Sequence, residues 1–155
     1  MICLQFLVAF LSLPFYIGLW SFLNFYIKYI GALIYLFFEI FLVLTTISDP
    51  GIVPKKYYLE NYKPDKTLIK KFRICRKCNI VMDLDKGTSH CVECGICVMN
   101  NDHHCPWTSK CVGKKNIWMF NGFLICLTLH IFYLIFALVS LAVYSSFTYK
   151  NNKIK

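Results

Sequence analysis

Cys75-x2-Cys78-x11-His90-Cys91-x2-Cys94-x2-Cys97-x4-Asp102-His103-His104-Cys105-Pro106-Trp107-x3-Cys111 is the stretch on which the reading of this 155-residue chain turns. Seven of the nine cysteines lie inside it, in repeated C-x-x-C pairs with histidines between them. An odd cysteine total, that spacing and the imidazoles point to zinc in a reducing compartment, because a disulfide framework has no use for histidine. From Arg73 to Asn116 the possible ligands are Cys75, Cys78, His90, Cys91, Cys94, Cys97, His103, His104, Cys105 and Cys111, ten groups in all. A closed structural site takes four ligands, so two sites leave two groups over. Spacing alone settles neither which histidine is spare nor how the ligands divide.

This stretch belongs to a polar middle segment, residues 49–116, with few large apolar side chains between Asp49 and Asp102. A segment of that size cannot build much of a core, and metal would replace one. Short apolar pieces such as Ile80-Val81-Met82 predict metal-pinned β-hairpins and turns. The sequence reads as free of internal repeats and low-complexity tracts.

The flanks are a different material. The whole chain is 57% hydrophobic and 17% aromatic with only 16% charged, which excludes an ordinary water-soluble enzyme. Residues 1–48 predict two transmembrane helices. Ile2 to Phe22 carries no ionisable group beyond Cys and Tyr and is long enough to cross the roughly 30 Å hydrocarbon layer. It lacks the basic start and small-residue cleavage site of a signal peptide. Tyr29 to Ile47 gives the second span, stopped by Asp49-Pro50-Gly51, and the short linker from Asn24 to Lys28 makes the two an antiparallel hairpin. Residues 117–147 predict a third span, with Trp118 and Phe120 in an interfacial first turn, and 148–155 a polar tail. Glu39, inside the second span, is either functional or a paired carboxyl between helices. His130, inside the third, is expected to be a packed polar contact.

The middle segment holds 13 basic and 7 acidic residues, a formal +6. The positive-inside rule places it in the cytosol, with the N-terminus on the same side and the C-terminus across the membrane. The three tail lysines fit that last placement less comfortably. Nucleic acid is not an expected partner, since the bases are spread through a tethered loop without finger spacing. Anionic headgroups or phosphates of an acidic substrate suit them better.

Asp102-His103-His104-Cys105 offers chemistry besides ligation. A thiol attacks as thiolate, an imidazole can take its proton, and a carboxylate can fix the imidazole's tautomer. A zinc ion with three thiolates and one imidazole is formally anionic and would not attract a further thiolate, so activation falls to His103. On these residues alone, a spare cysteine beside a spare histidine reads equally as a nucleophile and as an unused or regulatory thiol.

Together with Val112-Gly113-x2-Asn116-x3-Phe120-x2-Phe123 and the Asp49-Pro50-Gly51 element, this stretch resembles the DHHC-type protein S-acyltransferases (palmitoyltransferases). The resemblance implies an α-helical integral membrane protein with a small cytosolic, zinc-stabilised cysteine-rich domain of short β-hairpins and turns. It implies two structural zinc ions, one on Cys75, Cys78, His90 and Cys97, the other on Cys91, Cys94, His104 and Cys111. Cys105 is then the nucleophile, His103 its base, and Asp102 the group that polarises His103. The implied reaction moves a long-chain acyl group from acyl-CoA to Cys105 and from there to cysteine thiols of cytosolic or membrane proteins. The implied setting is a multi-pass protein of the endoplasmic reticulum, Golgi or plasma membrane, with the bilayer, acyl-CoA and substrate proteins as partners. Lys114 and Lys115 read either as contacts for CoA phosphates or as snorkelling interfacial lysines.

The chain departs from the family's pattern in four places. It ends after what reads as the third span, where members commonly have a fourth followed by Thr-Thr-x-Glu. The usual Lys/Arg-Pro-x-Arg before His90 is replaced by Asp85-Lys86-Gly87-Thr88-Ser89. Cys78 to His90 is two residues longer than usual, and Lys110 stands where Asn is common. The expected readings of the missing helix are a fragment of a longer transferase, a groove completed by self-association, or a member that has lost efficient activity. The alternative function is a catalytically weak, zinc-bearing membrane adaptor.

Overall fold

The structure, a computed structural model, describes residues 25–54 and 72–153. The expected first span, Ile2 to Phe22, lies outside the described residues, as do residues 55–71. The described residues divide into two compact units, one holding residues 25–41 and 122–153, the other residues 42–54 and 72–121.

Helix α1 spans Phe25–Ile47 and helix α2 spans Ile117–Lys153. Both are long and apolar enough to cross a bilayer. Helix α1 starts a turn earlier than expected, so Phe25 to Lys28 is helix and not linker. Helix α2 continues through the first residues of the expected polar tail. The hydroxyls in this stretch are satisfied within the helix: Ser146 Oγ donates to the Ala142 carbonyl at 2.8 Å and Thr148 Oγ1 to the Tyr144 carbonyl at 2.9 Å. Lys150 and Lys153 then oppose the partial negative charge of the helix end.

Within the first unit the helices meet along one stripe. A methyl on Gly31 would overlap the Tyr133 ring, so only glycine permits that approach. Phe38 packs on Phe123 with ring centroids 5.5 Å apart. Buried His130 sits among Tyr35, Phe38 and Tyr133, the packed environment expected of it. The Tyr35 hydroxyl hydrogen-bonds Glu39 one turn further on, which partners the acid within its own helix. Away from this stripe Leu33, Leu36, Phe37, Phe132, Ile135 and Phe136 are all exposed, and an apolar surface around most of a helix is suited to lipid.

The second unit is built from three antiparallel two-stranded hairpins. Strands β1 (Phe72–Cys75) and β2 (Ile80–Asp83) form the first, β3 (Ser89–Cys91) and β4 (Ile96–Val98) the second, β5 (His103–Cys105) and β6 (Lys110–Val112) the third. Contrary to the sequence reading, this is a repeat. Each hairpin turns through four residues between Cys75 and Ile80, Cys91 and Ile96, or Cys105 and Lys110, pairs that lie opposite each other. The last residue of each turn has positive φ: Asn79 at 52°, Gly95 at 67°, Ser109 at 51°. Hairpins this short are marginal alone, and something must hold them together.

Part of that support is the segment after α1. Asp49 Oδ1 accepts the N–H groups of Gly51 and Ile52 at 2.8 and 3.0 Å, forming an Asx turn that ends the helix. The chain then runs antiparallel to β4, with Ile52 opposite Val98, Val53 N–H donating to the Cys97 carbonyl at 3.1 Å and Met99 N–H to the Gly51 carbonyl at 2.8 Å. Gly113 closes against it, where a methyl would come within 2.6 Å of the Pro50 oxygen.

Candidate active site and metal centres

The hairpins bring the cysteines and histidines into two groups of four. Cys75, Cys78, His90 and Cys97 form one, Cys91, Cys94, His104 and Cys111 the other, with all ligand atoms in each within 4.8 Å of one another. Each group takes both turn cysteines of one hairpin and a cross-strand pair of the next: His90 lies opposite Cys97, and His104 opposite Cys111. Successive side chains of a strand point to opposite faces, so adjacent His90 and Cys91 serve different groups.

The distances test whether an ion fits. A tetrahedral ion with sulfur at about 2.3 Å and nitrogen at about 2.1 Å implies S···N separations of about 3.6 Å and S···S of about 3.8 Å. In the first group His90 Nδ1 lies 3.6, 3.2 and 3.6 Å from the sulfurs of Cys75, Cys78 and Cys97. In the second, His104 Nδ1 lies 3.5, 3.3 and 3.9 Å from those of Cys91, Cys94 and Cys111, and the Cys94 and Cys111 sulfurs are 3.4 Å apart. Burial, then the neighbouring thiols of Cys75 and Cys78, push the Cys97 thiol well up. Burial, then Cys91 and Cys94, do the same to Cys111. Three sulfurs so crowded share a pocket as thiolates only around a cation, and the two groups can hold two metal ions.

His103 and Cys105 are outside both groups. They are two apart on β5 and so share a strand face, while His104 between them points the other way, into the second group. His103 Nδ1 is 2.9 Å from Asp102 Oδ2, and its ring meets Phe120 edge-on with centroids 5.1 Å apart. A carboxylate only accepts, so Nδ1 carries the proton and Nε2 is left as the basic nitrogen. Cys105 is 3% exposed, and Thr108 Oγ1 donates to its carbonyl at 3.4 Å.

Two positions that the sequence shows only as part of the family resemblance and as a departure from it have structural roles around this site. Asn116 is fully buried just before α2: its Oδ1 accepts Gly113 N–H at 2.8 Å, and its Nδ2 donates to the carbonyls of Cys111 at 3.0 Å and Thr45 at 3.5 Å. Lys110 Nζ donates to the Thr46 carbonyl at 2.8 Å. Together they bond two carbonyls at the end of α1, of which that of Thr45 also accepts Ser48 Oγ at 3.3 Å, and they tie the third hairpin to it. The only local signal for either was an Asn directly before the apolar run. Of the two lysines considered for phosphate, Lys115 pairs with Asp49 at 2.6 Å, and Lys114 is exposed.

The sequence pattern of the family described as DHHC palmitoyltransferase matches residues 68–155. This chain belongs to the DHHC palmitoyltransferase family. It is 32% identical over 128 residues to Palmitoyltransferase ZDHHC18-A of Danio rerio, covering 68% of this chain and 27% of that protein. It is 32% identical over 124 residues to Palmitoyltransferase ZDHHC18 of Homo sapiens, covering 66% and 31%. With Putative ZDHHC-type palmitoyltransferase 1 of Dictyostelium discoideum the identity is 35% over 97 residues, covering 55% and 22%. The chain thus aligns with less than a third of the length of these relatives, and the aligned DHHC palmitoyltransferase region includes the three hairpins and α2.

Proposed function

We propose that this DHHC family member is a protein S-palmitoyltransferase in which Cys105 carries the acyl group. The observation behind the reading is the Asp102–His103 contact at 2.9 Å on the strand that also presents Cys105, with none of the three belonging to a ligand group.

His103 Nε2 takes the Cys105 proton, and Asp102 holds the ring in the tautomer that leaves Nε2 basic. The Cys105 sulfur attacks the thioester carbonyl of a long-chain acyl-CoA, forming a new C–S bond. The bond to the CoA sulfur breaks, and CoA leaves with the proton from His103. A thiolate on a substrate protein, deprotonated in turn by His103, attacks acyl-Cys105 and restores the free thiol. Each step exchanges one thioester for another, so no ATP is needed and the protein's work is positioning and proton transfer.

Zinc suits both ligand groups, three thiolates and one imidazole each, and bound there it supplies rigidity, since four protein ligands leave no open position. The helices supply the setting: each methylene of an acyl chain prefers an apolar environment by about 0.8 kcal/mol, which favours holding a fatty acyl group in a bilayer. We infer a multi-pass protein of the endoplasmic reticulum, Golgi or plasma membrane with its hairpins in the cytosol. There Lys114 is available to CoA phosphates and substrate cysteines are within reach.

Detergent-purified protein incubated with labelled palmitoyl-CoA tests the reading. Hydroxylamine-sensitive label on the wild type, absent from Cys105→Ser and much reduced in His103→Ala at unchanged metal content, is the expected result. Undiminished label in Cys105→Ser would remove Cys105 from the mechanism.

A further inference from the structure

We propose that Thr108 is the residue that keeps Cys105 out of a third metal site. The inference deepens the reading of Cys105 as nucleophile and rests on it for its functional meaning. Its geometry comes from the hairpin repeat alone.

The three turns superimpose in register and in the sign of φ at their last residue. Cys75, Cys91 and Cys105 occupy the same position, immediately before the turn. Three residues later the first two hairpins have Cys78 and Cys94, and the third has Thr108. In the first two, that pair of thiols is half of a ligand group. Their turns also aim backbone N–H groups at the first sulfur: Cys94 N–H lies 3.4 Å from Cys91 Sγ, and the N–H groups of Lys77 and Cys78 bond Cys75.

Cys105 therefore sits where its counterparts ligate metal. A neutral hydroxyl is a poor ligand for a thiophilic ion, and Thr108 uses its own on the Cys105 carbonyl, 1% exposed to solvent. The first two hairpins borrow their remaining ligands from the hairpin that follows. Directly after the third comes α2, beginning at Ile117, where the first two hairpins are followed by another hairpin. Among the described residues His103 lies on the same strand face as Cys105, with Nε2 not engaged by Asp102, whose carboxylate is spent on Nδ1. Cys105 and His103 alone are two ligands. A thiol at position 108 would make three, the ligand count of an open site that completes itself with solvent. Pro106, between the two positions, does not disturb the turn, since it stands where the pattern calls on no N–H.

The test counts metal in full-length detergent-purified protein under reductant, by elemental analysis and by cobalt(II) titration read at the thiolate charge-transfer band. Wild type and Thr108→Val are expected to hold two ions. Thr108→Cys is expected to hold a third, cobalt-competent ion, lost again when Cys105→Ser is added, and to protect Cys105 from alkylation. A Thr108→Cys protein that keeps its two structural ions yet takes no third overturns the proposal. The wild type tests it independently of any variant: a third ion that shields Cys105 from alkylation in excess zinc overturns it too. Acylation is scored separately. A wild type with two ions and no hydroxylamine-sensitive label would refute the nucleophile reading and leave the role of Thr108 in metal exclusion standing.

Discussion

Lys115 Nζ lies 2.6 Å from Asp49 Oδ2, an ion pair between residues 66 positions apart that joins the turn after α1 to the one before α2. Burial alone would raise the Asp49 carboxyl, but the bonds from Lys115 and from the N–H groups of Ile52 and Gly51 outweigh it and hold it at about 2. A folded value below the unfolded one means stability that is present above the unfolded value near 4 and lost as pH falls through 2. The Tm difference between wild type and Asp49→Asn should therefore be constant from neutral pH to about 4 and shrink below it. Acid release of metal is common to both proteins and cancels in the comparison. Both partners are about half exposed, so the difference should also fall with added salt.

Asn116→Ala removes the side-chain bonds to two buried groups, the Gly113 N–H and the Cys111 carbonyl, while the Thr45 carbonyl keeps its bond from Ser48 Oγ. Each buried unsatisfied group costs about 1–3 kcal/mol, so this variant should lose several degrees of Tm. Because Cys111 belongs to the second group, an ion held there should pass faster to a chromogenic chelator, while release from the first group is unchanged. Equal acceleration at both groups would show that Asn116 supports the unit generally.

The glycines separate two kinds of constraint. Gly113→Ala drives a methyl into the Pro50 oxygen and Val98, and should destabilise by about 1–3 kcal/mol. Gly95 has no atom within 4 Å of an added Cβ and needs only its positive φ. Since Asn79 holds the same place in the first hairpin, Gly95→Asn should be nearly neutral, whereas Gly95→Val should cost about 1–2 kcal/mol or more. Thermal denaturation of the three variants checks the order.

Asp102→Asn keeps a hydrogen-bonding group beside His103 but removes the charge that fixes its tautomer. The rate of label transfer to Cys105 should fall roughly a hundredfold or more, with metal content unchanged. An equal rate would assign Asp102 to local structure alone.

Much of this was legible because metal ligation is written in residue type and spacing. The count of two four-ligand groups was readable from spacing, the division among the ten candidates came from the family resemblance, and the stop at Ile47 follows from a proline and a glycine close behind it. The repeat was hidden for two reasons. Cys91 follows Cys75 by 16 residues but Cys105 follows Cys91 by 14, and Thr108 breaks the C-x-x-C pattern in the third copy. What Asn116 and Lys110 do was not readable, because their acceptors at Thr45 and Thr46 are brought near by tertiary folding. The end of α2 was misplaced because Ser146 and Thr148 look polar by composition yet spend their hydroxyls inside the helix.

The alternation along β5 makes strand register an inherited constraint. A slip of one residue against β6 would turn His103 and Cys105 toward the second ligand group and His104 away from it, moving the proposed nucleophile into a metal-ligating position without changing a single amino acid. Insertions and deletions are thus affordable in the connections between hairpins, as in the Leu84–Gly87 turn, but not inside β5. A lineage can drift in side chains here far more freely than in length.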